Sequence, residues 1–286
     1  YRPPTQKDAW KPGKPRTGDR TSPLTGLKTP RSFPKSYGCD GGINYGHIYS
    51  MRSGTAAFYD LRSESGTIHI SGPRSGCTNS VIPAGGLLNI PYFYEGCTCS
   101  YPLPVGLALV SMPQEHEQWA SWGESEPTGI VRLGINLGAP GDRVDSNGTL
   151  WLDHPSVGGP SPTIRISTAP TQASYHYHHS LRVEGGKGWP WVGASGATGL
   201  SDIKVEGLKP GKFTLRLYFA EFKKKRAGQR VFDISVDGKQ LVDSLDITAE
   251  AGGPRRCVVK EFPGLPIDGS LELSFKAQKG KPLVCG

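Results

Sequence analysis

Apolar and polar positions alternate with a period of two through much of the second half of the chain. Phe213-Thr-Leu-Arg-Leu-Tyr-Phe219 places Phe213, Leu215, Leu217 and Phe219 on one face, the pattern of a half-buried antiparallel strand. Further apolar runs predict strands at 131–137, 163–167, 175–183, 231–236, 240–245, 257–262 and 271–275. Asp237-Gly238 between Ile234-Ser-Val236 and Gln240-Leu-Val242 marks a hairpin turn, because Gly accepts positive φ without a steric penalty. Two stacked antiparallel sheets follow from that series. In the first half the runs are shorter and divided by Gly turns, predicting strands at 47–52, 56–61, 67–71, 81–83, 87–90 and 107–110. Strand, tight turn and strand is how propeller blades are written, at roughly 40–50 residues per blade, so residues 37–112 hold about two.

Composition sharpens this all-β expectation. The chain has 286 residues with Gly 39 and Pro 25, and these turn formers interrupt every stretch on which a helical bundle could be built. No apolar run approaches the roughly 18 residues that span a bilayer. The net charge of +8 is concentrated at one end. Residues 1–36 carry nine Lys or Arg against Asp8 and Asp19, with seven Pro, whereas the remaining 250 residues carry 24 basic against 23 acidic groups. That segment reads as an extended basic arm lying across something else. The only basic cluster of the folded part is Lys223-Lys224-Lys225-Arg226, a solvated loop between strands rather than a face for nucleic acid. Residues 113–129 read as a polar connector, leaving 130–286 as the sandwich.

Six cysteines, Cys39, Cys77, Cys97, Cys99, Cys257 and Cys285, divide four and two between the halves. An even count in each half suits disulfides in an oxidising, extracytoplasmic compartment, with 15 pairings open. The start lacks an initiator Met and the end stops inside what reads as a strand, so the chain reads as a fragment or a processed product.

Two resemblances sit on these runs. Pro30-Arg31, Met51-Arg-Ser-Gly-Thr-Ala-Ala-Phe-Tyr-Asp-Leu61, Arg74-Ser-Gly-Cys77, Ile82-Pro-Ala-Gly-Gly-Leu87 and Cys97-Thr-Cys99 resemble the closing blades of quinoprotein-like β-propellers of large bacterial secreted proteins, notably of planctomycetes. Enzymes of that fold that hold a quinone use adjacent cysteines; here Thr98 separates Cys97 from Cys99, which argues against a bound quinone. The second half is similar to a malectin domain, a carbohydrate-binding β-sandwich of jelly-roll type. The stretches are Ile135-Asn-Leu-Gly138, Asp145-Ser-Asn-Gly-Thr-Leu-Trp-Leu-Asp153, Phe213 to Glu221, Gly228-Gln-Arg-Val-Phe-Asp-Ile-Ser-Val-Asp-Gly238, Leu245-Asp-Ile247, Gly269-Ser-Leu-Glu-Leu-Ser-Phe275 and Pro282-Leu-Val-Cys-Gly286. In that family the last motif runs on into a further strand, so the resemblance implies a short terminal strand here.

Sugar sites need flat aromatic faces for the C–H side of a ring and nearby Asp, Asn or Arg for its hydroxyls. Trp189 and Trp191, in a Gly-rich surrounding, are the first candidates. Tyr175, Tyr177 and Trp151, with Asp145, Asn147 and Asp153, are the second group. On a strand His176 and His178 share a face, as a pair of transition-metal ligands would. Asp145-Ser-Asn-Gly148 has part of a calcium-loop pattern, with Arg143 where an acidic ligand would precede it and no distal Glu. Asn147-Gly-Thr149 fits a glycosylation sequon. Catalytic signals are thin: Glu124 and Glu126 lie in the connector, Asp153-His154 with Ser156 lacks a G-x-S-x-G elbow, and no phosphate or dinucleotide loop occurs. The sequence therefore points to a non-catalytic, extracytoplasmic protein whose sandwich binds polysaccharide or oligosaccharide, with no organic cofactor, no nucleic acid and no membrane span, and with calcium or a transition metal left open. The alternatives are a part whose arm and blades complete another chain's propeller, and a metal- or quinone-dependent enzyme.

Overall fold

In a computed structural model the described residues are 19–31, 42–53, 55–62, 64, 67–70, 81–91, 105–111, 117–120, 122–123, 125–158 and 161–286. The chain divides into two compact units, one of residues 1–22 and 27–113, the other of residues 23–26 and 114–286. The motifs around Cys39, Arg74 to Cys77 and Cys97-Thr98-Cys99 lie outside the described residues, as does Glu124.

The first unit begins with a hairpin of β1 (Asp19–Thr21) and β2 (Lys28–Pro30), inside the segment expected to be an extended arm. Then follow β3 (Ile43–Asn44), β4 (Ile48–Ser53), β5 (Thr55–Asp60), β6 (Thr67–Ile70), β7 (Ile82–Ala84), β8 (Leu87–Ile90) and β9 (Leu107–Val110). They form two antiparallel meanders, β3-β4-β5-β6 and β7-β8-β9. Alternation on β4 and β5 buries Tyr49, Met51, Ala57 and Tyr59 together. Glu64 ties Arg31 to this unit, accepting from its Nε at 2.8 Å and from the Tyr59 hydroxyl at 2.6 Å.

The second unit contains β10 (Gly134–Leu137), β11 (Arg143–Val144), β12 (Leu150–His154), β13 (Ile166–Ala169), β14 (Ser174–Tyr177), β15 (Gly185–Gly186), a one-turn helix α1 (Pro190–Gly193), β16 (Ser195–Thr198) and β17 (Asp202–Glu206). It continues with β18 (Gly211–Ala220), β19 (Val231–Val236), β20 (Lys239–Leu245), a short helix α2 (Ile247–Ala251), β21 (Arg256–Ile267), β22 (Ser270–Lys279) and β23 (Leu283–Val284). One layer is the five-stranded sheet β13-β17-β22-β19-β20. The other is assembled from β15-β21-β18, β14-β16-β23 and β10-β12-β11. The residues after β23 join its parts: Cys285 donates to the Tyr218 carbonyl at 2.8 Å and accepts from the Leu137 amide at 2.9 Å. Between the layers Phe219 of β18 meets Phe232 of β19 at 6.0 Å, and Phe232 meets Phe275 of β22 at 6.4 Å.

The strand expected at 175–183 stops at Tyr177, where a 3₁₀ turn over Ser180–Arg182 takes over. His179 redirects the backbone, its Nδ1 accepting from the Leu181 amide at 3.2 Å. β12 lies where the sequence pattern predicts no strand, and it is buried along Leu150 to Asp153. It runs parallel to β10, and a strand covered on both faces loses the alternation by which strands are read. The segment expected to be a polar connector instead packs on the second unit, with Ala120 bridged to Asp142 and Trp122 only 5% exposed. The terminal strand is short, two residues long.

The two cysteines of this unit are free, buried thiols, against the disulfide expectation. Cys257 on β21 pairs with Ala220 on β18, and Cys285 bonds the opposite edge of β18. They flank β18 on opposite sides, each as a buried thiol. Gly193 fills the space between them: its carbonyl accepts from Cys285 Sγ at 3.6 Å, and a Cβ there would fall 2.1 Å from Cys257 Sγ.

Candidate functional site: an aromatic cluster on the outer face of the second unit

On β18 the alternation that sends Leu217 and Phe219 inward sends Tyr218 and Ala220 to the outer face. There α1 covers them, and Trp151, Trp191, Val192, Cys257 and Cys285 form a second, smaller core. Trp191 is its hub. Trp151 meets it edge-on at 5.6 Å, Trp119 edge-on at 6.1 Å, and Trp189 stacks at 6.1 Å with an interplanar angle of 24°. Edge-to-face contacts of this kind each add about 0.5–1.5 kcal/mol beyond area burial. Pro190 sets the first turn of α1 at a position where its missing N–H matters least. Gly134 permits the Trp151 indole to lie against β10, since a Cβ there would sit 2.2 Å from the ring.

The sequence candidates separate by burial. Trp191 is 6% and Trp151 7% exposed, so packing against neighbours leaves neither a face for a sugar. Asp145, 8% exposed, is a scaffold residue: its carboxylate accepts from the Asn147 and Thr149 amides and from the Trp151 indole N–H at 2.9–3.0 Å. Asn147 is exposed at the tip of that turn, with its carbonyl accepting from Arg132 at 2.8 Å. Oxygens saturated by N–H donors are a poor cage for calcium, which needs six to eight free oxygen ligands. Asp153, 6% exposed, accepts from the Val157 amide, and its own amide donates to Asp142. Burial is the first cause that pushes the Asp142 carboxyl up to about 6, against the hydrogen bond from Ser161. Tyr175 is half-buried, packing on the main core and meeting His154 at 6.4 Å.

Tyr177 and Trp189 retain surface. Tyr177 is 39% exposed and Trp189 half-buried. Glu117, Trp119 and Arg143, which gather around Tyr177, are not among the sequence candidates for a sugar site. Trp119, half-buried, meets Tyr177 edge-on at 6.1 Å. The Arg143 guanidinium lies 4.7 Å from the Trp191 ring centre and 5.7 Å from that of Trp119, a cation–π geometry. Glu117 accepts from the Tyr177 hydroxyl and from the Ser180 amide. Burial alone would raise its carboxyl, but these bonds outweigh it and hold Glu117 below its ordinary value. The phenol of Tyr177 is pushed up to about 12 by burial and by the Glu117 carboxylate. Burial lowers Arg143. The result is a partly exposed Tyr177 ring beside the Trp119 indole, with the Glu117 carboxylate bonded to the phenol and the Arg143 guanidinium against the Trp119 and Trp191 rings. Trp119 and Glu117 carried one available signal, a pair of tryptophans, Trp119 and Trp122, in an otherwise polar stretch.

His176 on β14 and His178 just beyond its end do come together, with ring centres 5.6 Å apart. Phe222 lies 4.5 Å from the His178 ring, and Arg182 Nη1 sits 3.0 Å from His178 Nδ1. The His176 ring is drawn down to about 4 by burial first and by His178 second. Among the described residues no third His, Cys, Asp or Glu completes a ligand set, and a guanidinium against one imidazole is unfavourable for a cation.

A malectin domain matches residues 202–285. Kinesin-like protein KIN-14E of Oryza sativa subsp. japonica is 33% identical over 113 residues, 36% of this chain and 10% of that protein. A probable leucine-rich repeat receptor-like serine/threonine-protein kinase of Arabidopsis thaliana is 41% identical over 84 residues, 27% of this chain and 8% of that protein. The chain thus spans a tenth or less of the length of these relatives. Among solved structures, the ANX2 ectodomain of Arabidopsis thaliana aligns at 16% identity and a TM-score of 0.43, covering 63% of this chain and 55% of that one. The malectin segment runs from β17 through Cys285, so it includes β18 and its outer face.

Proposed function

We propose that the second unit is a non-catalytic carbohydrate-binding module of an extracytoplasmic protein, and that a polysaccharide or oligosaccharide lies across Tyr177, Trp119 and Trp189. The observation that carries this reading is the partly open aromatic edge formed by Tyr177 and Trp119 beside Glu117 and Arg143. Flat faces stack on the C–H side of a sugar ring while charged groups bond its hydroxyls. The malectin match over β17 to β23 supports the same reading. Among the described residues no helix is long and apolar enough to cross a membrane.

The test is titration calorimetry of the intact chain against a glycan that it retains on an array. Tyr177→Ala is expected to weaken binding at least about tenfold, which corresponds to 1.4 kcal/mol. Unchanged affinity in Tyr177→Ala and Trp189→Ala alike would overturn the placement of the site.

A further inference from the structure

His178 is next to Tyr177 in the chain but packs on Phe222 rather than on Trp119, and it belongs to a second group of side chains. Its ring centre lies 4.5 Å from that of Phe222, and the Arg182 guanidinium carbon lies 6.0 Å from the same ring centre. Arg182 Nη1 sits 3.0 Å from His178 Nδ1. A guanidinium can only donate, so Nδ1 accepts and the imidazole is neutral, with its proton on Nε2. That N–H and the remaining N–H groups of Arg182 are left as donors. Phe222 leads directly into Lys223-Lys224-Lys225-Arg226. The His176 ring, lowered first by burial, is lowered further by His178, Lys223 and Arg230. Its Nε2 is buried with no hydrogen-bond partner among the described residues.

The acids that flank this group are committed elsewhere. Glu221 is buried against Arg230, Glu184 pairs with Arg255, and Glu117 accepts from the Tyr177 hydroxyl and the Ser180 amide. Among the described residues neither Arg182 nor any cation of 223–226 makes an ion pair. Arg182, Lys223 and Lys224 are exposed. Donors thus come from three elements, the end of β14, the 3₁₀ turn after it and the loop between β18 and β19, with no acceptor to match them. An oxyanion fits such a set, because its oxygens only accept and charge-assisted bonds are roughly twice as strong as neutral ones. A sugar hydroxyl also donates, and would find nothing there to take its proton. The guanidinium that counts against a metal cation at His178 favours an anion.

We propose that His178, Arg182 and Lys223 form an oxyanion subsite, which takes a sulfate or carboxylate group carried by an acidic polysaccharide. The subsite rests on the carbohydrate reading of the second unit, but not on the aromatic edge.

The experiment titrates unmodified, sulfated and carboxymethylated dextran of one chain length into the intact chain. Physiological salt screens long-range attraction to the basic residues 1–36. Both charged dextrans are expected to bind at least about tenfold more tightly than the unmodified one, and the tighter of the two names the oxyanion. His178→Gln keeps the net charge at neutral pH, so it separates a built subsite from general attraction between charges. It and Arg182→Gln should each lose at least about tenfold in affinity for the charged dextrans. Lys239→Gln removes one charge at an exposed position of β20 and should lose less than about twofold. Circular dichroism checks that each variant is folded. Failure of both charged dextrans to bind, equal binding of unmodified dextran, or unchanged affinity in His178→Gln overturns the proposal. So do equal losses in Lys239→Gln and Arg182→Gln, or tighter binding of a single-stranded oligonucleotide than of either charged dextran. Losses in His178→Gln and Arg182→Gln with none in Tyr177→Ala would uphold the subsite and overturn the aromatic edge; the converse would overturn the subsite alone.

Discussion

Trp191 shows how one residue type takes opposite roles at neighbouring positions. It and Trp189 stand two apart and read alike in sequence, yet Trp191 is enclosed by Trp119, Trp151 and Trp189 while Trp189 keeps surface. Trp191→Ala is expected to lower unfolding free energy by about 3–5 kcal/mol, as large-to-small changes in packed cores do. Tyr177→Ala should cost under about 1.5 kcal/mol, and urea denaturation followed by circular dichroism separates the two. His176 makes a prediction in pH. Burial holds its folded-state pKa to about 4, whereas in the unfolded chain it titrates near 6.5. Between those values the unfolded chain binds more protons, so stability present above about 6.5 is lost as pH falls toward 4. His176→Gln removes that loss. Its stability relative to the parent should rise by about 3 kcal/mol between pH 7 and pH 4. Asp142, raised to about 6, has the opposite slope in both proteins and cancels from the difference. A difference that does not change with pH would contradict the burial assigned to His176. The aromatic and histidine residues were thus legible as candidates, but their exposure was not, because it is decided largely by partners distant in sequence, such as Trp119 and Trp151 for Trp191 and Phe222 for His176.

At the scale of elements, β18 was legible because only one of its faces is covered along most of its length. β12 was hidden because it is buried along most of its length and runs beside a parallel neighbour. The hairpin of β1 and β2 was hidden by the Pro and Lys content around it. The end of β18 carries a buried ion pair that no pattern announced: Arg230 Nε donates to Glu221 at 2.7 Å, with both side chains at most 5% exposed. Glu221 also accepts from the Lys223 amide at 2.9 Å, and Arg230 donates to the Lys281 carbonyl. The pair fixes the loop between β18 and β19 and the approach to β23. Arg230→Met should cost about 3–5 kcal/mol, because it leaves a carboxylate buried without its partner. A loss under 1 kcal/mol by thermal and urea unfolding would show that the loop rearranges to hydrate Glu221.

At the scale of the whole molecule there are two compact units with separate cores, one built on Tyr49, Met51 and Tyr59 and the other on Phe219, Phe232 and Phe275. Calorimetry is expected to resolve two transitions. Met51→Ala should lower one and Phe232→Ala the other, and a single transition lowered by both would contradict independent cores. All-β organisation and the sandwich of the second unit were legible from period-two runs and Gly-rich turns. The packing of residues 117–129 on that unit was not, since Trp119 and Trp122 reach their partners only through the folded sandwich. The central claim is that the second unit presents an aromatic edge to carbohydrate. The most direct test is a glycan array probed with the intact chain and with a Tyr177→Ala, Trp189→Ala double variant shown by circular dichroism to be folded. Binding to one glycan class that the variant loses is the predicted result; binding that the variant retains, or no binding by the parent chain, would contradict the account.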